Sequence, residues 1–183
     1  MRYDLNKHHR RSIRLRGYNY ATPRAYFVTV CVYGWRCLFG AVVDGDLVLN
    51  DAGRMVRAIW DALPGRFPAL APDSAVIMPN HFHAIVVIAG IALLPERAAT
   101  AQPTLGVIVG AFKSLTTNAY IRGVQDQNWE PFDQRLWQRN YYEHIVRDDN
   151  DLANIHDYIQ HNPARWADDQ LHPAAAPNRF NQE

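Results

Sequence analysis

The sequence predicts an α+β fold: a ferredoxin-like antiparallel sheet with helices on one face. Runs of strand composition and runs of helical spacing follow each other as strand, hairpin, helix, strand, strand, helix, strand, helix. Without the hairpin this order is a βαββαβ unit followed by a C-terminal helix. The chain has 183 residues, of which 48% are hydrophobic, and this is enough to build one domain with a buried core.

The first half of the chain supplies a strand, a hairpin and a helix. Residues 26–32, YFVTVCV, are β-branched and aromatic, which is typical of a central strand. Residues 38–49 carry an Asp-Gly pair between two short apolar runs, and this pattern predicts a β-hairpin. Asn50 or Asp51 can cap a helix whose apolar residues repeat at helical spacing until Pro64-Gly65 ends it.

The middle of the chain predicts two strands that meet at a turn. Residues 75–78 and 82–88 are apolar runs, and Pro79-Asn80 lies between them. Residues 90–103 are small and polar with two prolines and no firm periodicity, so we expect an exposed loop there.

A second helix and a further strand follow this loop. Residues 104–122 carry an apolar stripe at helical spacing, which leaves Lys113 to project outward, and Gly123 fits the C-terminal end of this helix. Residues 136–147, LWQRNYYEHIVR, form another β-like run.

The last helix carries a tyrosine and an asparagine that point in the same direction. We expect it to begin near Asp148, an N-cap type residue, and to end at Pro163. Tyr158 adjoins its apolar stripe, and Asn162 lies four residues further along the same face. A phenol and an amide oxygen therefore point together toward whatever the helix covers. The alternative is structural, because such a Tyr is usually a boundary residue and an Asn beside Pro usually marks a helix end.

Cysteine content and hydropathy argue against a disulfide-rich or membrane-spanning protein. The two cysteines, Cys31 and Cys37, are too few for a disulfide framework and lack zinc-ribbon spacing, so we expect both to be reduced. No apolar run is long enough for a membrane helix and the N-terminus lacks an apolar signal segment, so we expect a cytoplasmic protein without membrane contact.

The net charge is only +1, but a basic arm at the N-terminus is suited to contact phosphates, with a solvated terminus as the alternative. Its cations are Lys7, Arg10, Arg11, Arg14 and Arg16.

Two histidines, one within the predicted strand 82–88 and one directly before it, form a candidate metal site. Alternate side chains of a strand share a face, so His81 and His83 lie together while Phe82 points into a core. Two imidazoles about 6.6 Å apart along a strand can converge on one metal ion. We expect both rings to be partly exposed. The alternative is that they only form hydrogen bonds or face solvent.

Three motifs together resemble a known family. PNHFH at the histidines, WQRNYYEHIVRDDNDL before the last helix and DYIQHNP at its end resemble the REP-associated tyrosine transposases, in the single-tyrosine HUH superfamily of single-strand DNA transposases. The resemblance runs from about Arg11 to about Trp166, and the stretch after Pro163 departs from the family pattern. It implies that Tyr158 is the nucleophile, and that a divalent metal is bound by the two histidines and Asn162.

The resemblance also implies a chemistry and a substrate. Attack of Tyr158 on a phosphodiester would give a 5′-phosphotyrosine and a free 3′-hydroxyl, in single-stranded DNA that carries a hairpin. All three implied ligands are neutral, so we expect Mg²⁺ or Mn²⁺ to bind weakly until DNA phosphate completes the shell. A structural zinc site is disfavoured by the lack of a third strong ligand. Aromatic residues before the last helix are candidates for base stacking, namely Trp137, Tyr141 and Tyr142.

These predictions divide the chain into a basic arm over residues 1–17, a transposase domain over 18–166 and an irregular tail over 167–183. Two other functions stay open: a non-catalytic DNA-binding protein on the same fold, and a small-molecule metallohydrolase that uses the same histidines. Tyr141 and Tyr142 are alternative nucleophiles. The oligomeric state, monomer or homodimer, is not predicted.

Overall fold

The computed structural model describes residues 19–90 and 103–176, and the predicted basic arm, most of the predicted loop 90–103 and the end of the tail lie outside these ranges. Nine regular helices and strands lie within the described ranges, together with 3₁₀ turns at Tyr33–Trp35 and Pro163–Asp168. In chain order they are β1 Arg24–Cys31, β2 Gly40–Val43, β3 Asp46–Leu49, α1 Asp51–Arg66, β4 Leu70–Met78, β5 His81–Ile88, α2 Leu105–Gln127, β6 Tyr142–Ile145 and α3 Asp149–His161.

The main sheet has the ferredoxin-like order that the sequence predicts. Its four strands lie in the order β4-β5-β1-β6, and every neighbouring pair is antiparallel. β1 is central and pairs along its whole length with β5, from Arg24 opposite Ile88 to Cys31 opposite His81. The hairpin β2-β3 forms a separate two-stranded sheet, and its turn residues Asp44 and Gly45 both have positive φ angles, which an Asp-Gly pair accepts readily.

The sheet is buried on both faces, and a different set of helices covers each. On the α1/α2 face, Phe82 packs against Trp60 of α1 and Phe112 of α2, with ring centroids 5.0 and 4.6 Å apart. On the opposite face, which we call the α3 face, Ile155 and Ile159 of α3 belong to one cluster with apolar side chains of β4 and β5. The prediction of helices on one face therefore holds for α1 and α2, while α3 covers the other face.

The caps of the helices follow the sequence closely. The side chain of Asn50 accepts a hydrogen bond from the backbone N–H of Gly53 at the start of α1, and Asp148 accepts one from Asp151 at the start of α3. α1 runs through Pro64 and Gly65 and ends at Arg66, one residue beyond the predicted stop. Within the described ranges, none of the helices has the length and hydropathy of a membrane span.

α2 extends beyond its predicted end at Gly123. The helix continues to Gln127, and Asn128 then takes a left-handed conformation whose backbone N–H donates to the carbonyl of Gly123. Gly123 is needed for a different reason, because a Cβ at this position would lie 2.1 Å from the ring of Trp129. Lys113 does not project freely outward, since its ammonium donates hydrogen bonds to the carbonyls of Gln138 and Arg139.

The predicted strand 136–147 is regular only over Tyr142–Ile145. Trp137 makes one isolated bridge to Val32, and its indole enters the core on the α1/α2 face, where it packs against Phe39 and Phe112. The indole nitrogen donates to the hydroxyl of Thr116. The chain bends inward here because an indole with a polar partner gains more by burial than it would at the edge of the sheet.

Candidate active site

The two histidines of β5 lie on the α3 face, as the strand alternation predicts. Their ring centroids are 4.5 Å apart, and the rings are 0% (His81) and 1% (His83) exposed. The expectation of partly exposed imidazoles is therefore wrong, because α3 and the turn after it cover this part of the sheet. Burial also removes the alternative in which the two rings simply face solvent.

His81 is held in a defined tautomer. Its Nδ1 lies 2.8 Å from Oδ1 of Asn80, and because an amide oxygen only accepts, Nδ1 must carry the proton. The lone pair is then on Nε2, which is buried and has no partner at hydrogen-bonding distance and angle among the described residues. A buried nitrogen lone pair without a partner is the arrangement expected of a metal ligand.

His83 contacts the predicted nucleophile. Its Nδ1 lies 2.8 Å from the hydroxyl of Thr29, and its Nε2 lies 3.3 Å from the hydroxyl of Tyr158. Phe27 stacks on the His83 ring at 5.2 Å and meets the ring of Tyr158 edge-on at 5.9 Å. These contacts fix the orientation of both rings.

Burial keeps both imidazoles neutral. It lowers the pKa of His83 from 6.5 to about 3 and the pKa of His81 well below 6.5, where the neighbouring His83 acts in the same direction. Neutral imidazole is the form that offers a lone pair to a metal, so both rings are ready to bind an ion at neutral pH.

Asn162 lies beside the histidines and brings a carboxylate with it. Its side chain is 2% exposed, and its Oδ1 is buried without a partner of normal hydrogen-bond geometry in the described ranges. Its Nδ2 donates to Oδ2 of Asp169 at 3.1 Å, and Oδ1 of Asp169 accepts from the backbone N–H of Leu171 at 2.7 Å. One ligand atom from each of His81, His83 and Asp169 lies within 4.8 Å of the others.

Sequence reasoning missed Asp169. It follows Asn162 by seven residues, in a segment predicted as an irregular tail, and the only local signal is an acidic pair, Asp168-Asp169. The expectation was an all-neutral ligand set, and the structure places a buried carboxylate beside it. Two imidazoles, an amide oxygen and a carboxylate fit a divalent ion such as Mn²⁺ or Mg²⁺ better than the neutral set does.

The hydroxyl of Tyr158 lies in an environment that opposes its ionisation. Burial, together with the negative charge of Asp169, raises the pKa of Tyr158 from 10 to about 12. The phenol is therefore protonated at neutral pH, and a positive charge beside it is required to favour the phenolate.

The other predicted site residues are separated by the fold. Tyr142 lines a cavity of about 490 Å³ that Tyr158 also lines, whereas Tyr141 packs in the core on the α1/α2 face. Trp137 is only 3% exposed, so the prediction that it stacks on DNA bases is wrong. The five cations of the basic arm lie outside the described residues.

Comparisons with known proteins find similar sequences and a similar fold. No family model matches the chain. An uncharacterized protein of Haemophilus influenzae is 43% identical over 182 residues, which cover 93% of this chain and 97% of the relative. A second H. influenzae protein, named "Putative REP-associated tyrosine transposase", is 57% identical over 92 residues, about half of each chain (49% of this one and 47% of the relative).

The fold is also that of a solved structure, a REP-associated tyrosine transposase bound to a REP hairpin. The TM-score is 0.57 with 21% identity, over 85% of this chain and 74% of the other. The chain is thus similar in fold to one such transposase and, over about half of its length, similar in sequence to a protein given that name.

Proposed function

We propose that this protein is a metal-dependent single-strand DNA endonuclease and strand transferase that acts at hairpin-forming repeats through a 5′-phosphotyrosine. The observation that carries this proposal is the 3.3 Å approach of the Tyr158 hydroxyl to Nε2 of His83, within a buried group of metal-binding side chains. The solved relative was bound to a REP hairpin, which supports a hairpin as the substrate here.

The residues that would hold the ion are His81 and His83, with oxygen ligands from Asn162 and Asp169. A bound divalent cation would neutralise charge on the phosphate oxygens and favour the phenolate over the phenol. The buried lone pair on Nε2 of His81 and the buried oxygen of Asn162 support this assignment, because neither has a protein partner of normal geometry in the described ranges.

Tyr158 would attack the phosphorus and form a phosphotyrosyl bond. The bond that breaks joins phosphorus to the 3′-oxygen, which takes up a proton and leaves as a 3′-hydroxyl. The proton of Tyr158 passes to solvent. Because the phosphodiester energy is kept in the phosphotyrosine, another 3′-hydroxyl can reverse the step and complete strand transfer.

The position of the phenol favours single-stranded DNA. The Tyr158 hydroxyl is part-buried next to His83 of β5, and one phosphodiester has to reach it. The second strand of a duplex would obstruct that approach. We therefore propose that an unpaired strand enters and that an adjacent hairpin positions it.

The test is covalent capture by the full-length protein. A hairpin with single-stranded flanks is labelled at its 3′ end, incubated with protein and Mn²⁺, and separated on a denaturing gel. We expect a labelled protein band whose modified peptide contains Tyr158, and no band from the fully duplex strand or in excess chelator. Tight hairpin binding without any adduct would contradict the proposal and favour a non-catalytic DNA-binding protein.

A further inference from the structure

The cavity beside Tyr158 is larger than a single phosphate group. It encloses about 490 Å³ on the α3 face, between β6 and α3, which lies in the range of ~300–1,000 Å³ typical of cavities that bind small organic groups. Phe27, Ile155 and Leu171 provide apolar walls, and the ring of Tyr142 lies at one side. The same cavity reaches the nucleophile itself, because Tyr158 and His83 are among its lining residues.

The charges around this cavity disfavour a phosphate. Among the described residues that line it there is no lysine or arginine, whereas Asp151 and Glu143 contribute carboxylates. The Asp151 carboxylate accepts hydrogen bonds from Nε2 of His144 and from the backbone N–H of Arg147, so its charge is fixed in place. A phosphate group would be repelled by these two carboxylates, but a neutral ring would not be.

The polar side chains at the cavity suit the edge of a nucleobase. Asn154 of α3 and Gln170 of the tail line the cavity, and an amide side chain carries both a donor and an acceptor. Such amides can form paired hydrogen bonds with base edges, while aromatic and apolar walls stack on base faces. The composition therefore matches one unpaired base rather than a duplex, whose paired bases are out of reach.

We propose that this cavity binds the unpaired nucleobase next to the phosphate that Tyr158 attacks. This inference rests on the proposed function and adds to it a recognition site in the protein for one nucleotide of the cut. Insertion of the base would bring its neighbouring phosphate toward the Tyr158 hydroxyl and His83, which also line the cavity.

The test uses the full-length protein, a filled cavity and fluorescent bases. Asn154→Trp places an indole in the cavity from an exposed position on α3, and Ala153→Trp places the same ring at the adjacent exposed position, which does not line the cavity. Strands carry 2-aminopurine or pyrrolocytosine at one unpaired position at a time, and fluorescence reports stacking without any need for cutting. Thermal unfolding checks that both variants fold.

We expect one position next to the cut to be quenched by wild type and by Ala153→Trp, but not by Asn154→Trp. An abasic site at that position should lower adduct formation by wild type about tenfold, and should cause no additional loss in Asn154→Trp. Quenching with no adduct would refute the proposed function and leave the base site intact. An adduct that forms equally well with every abasic strand, or with Asn154→Trp, would overturn the base site and leave the proposed function intact.

Discussion

The amide nitrogen of Asn162 donates a hydrogen bond of 3.1 Å to Oδ2 of Asp169, and this contact ties the end of α3 to the segment that follows it. Because Oδ1 of Asp169 also accepts from the backbone N–H of Leu171, the carboxylate is fixed on both oxygens. The geometry brings a negative charge to a pair of neutral imidazoles, which explains how a hard divalent ion can be held there.

Asp169→Asn tests the contribution of this carboxylate to metal binding. The variant keeps the shape of the side chain but removes its charge, so the affinity for Mn²⁺ should fall by about tenfold or more. Titration calorimetry of the full-length protein measures this. Asp168→Asn is the matched control, since Asp168 is the exposed neighbour and should have no effect. Equal affinities of the two variants would exclude Asp169 as a ligand.

Tyr158→Phe tests the nucleophile. The variant loses only the hydroxyl and its 3.3 Å contact with His83, so the free energy of unfolding should fall by about 0.5–1.5 kcal/mol. The phosphotyrosyl adduct should disappear. Hairpin binding should be retained. Tyr142→Phe and Tyr141→Phe should still form the adduct, and a labelled Tyr158→Phe protein would show that another group is the nucleophile.

Replacement of either histidine by alanine tests the metal site, and it also tests how much each ring contributes to the stability of the fold. His81→Ala leaves the Asn80 oxygen without its donor in a buried position, so we expect a loss of about 1–3 kcal/mol in the free energy of unfolding. Binding of Mn²⁺ should be lost in both His81→Ala and His83→Ala. His156→Ala is the control, because this histidine of α3 has a side chain that is 40% exposed and pairs with Asp73. If His81→Ala bound Mn²⁺ as tightly as wild type, His81 would not be a ligand and the metal would bind elsewhere.

Two glycines of α2 give opposite expectations for stability. Gly123→Ala places a methyl group 2.1 Å from the ring of Trp129, which must shift, and this should destabilise the protein by about 1–3 kcal/mol. Gly110→Ala meets nothing within 4 Å and should stabilise it by about 0.5–1 kcal/mol through helix propensity. Urea unfolding of both variants measures the difference. A neutral Gly123→Ala would mean that Trp129 is not held against the helix.

The basic arm is tested by the salt dependence of DNA binding. Replacing Lys7, Arg10, Arg11, Arg14 and Arg16 by Gln should weaken hairpin binding, and each lost phosphate contact should reduce the slope of log K against log salt by about 0.7–0.9. Arg54→Gln with Arg57→Gln is the control, because both side chains already pair with acids of α1. The same slope in the arm variant as in wild type would show that the arm does not contact phosphate.

The local geometry of the candidate site could be predicted from short stretches of sequence. Alternation along β5 placed His81 and His83 on one face and Phe82 in the core, because side chains of a strand point to opposite sides. Helical spacing and the caps of α3 placed Tyr158 and Asn162 one turn apart on one side of a helix whose bounds were predicted almost to the residue. These are consequences of backbone periodicity, which a few neighbouring residues fix.

Contacts between residues far apart in the chain could not be predicted in this way. Trp137 was predicted as a candidate for base stacking, but its indole reaches Thr116 of α2 and is buried. The Tyr158 hydroxyl meets His83, 75 residues away, because α3 packs on the face opposite α1 and α2. Asp169 joins the histidines because the chain turns back after Pro163, and a contact between segments so far apart depends on the packing of the whole domain rather than on any local pattern.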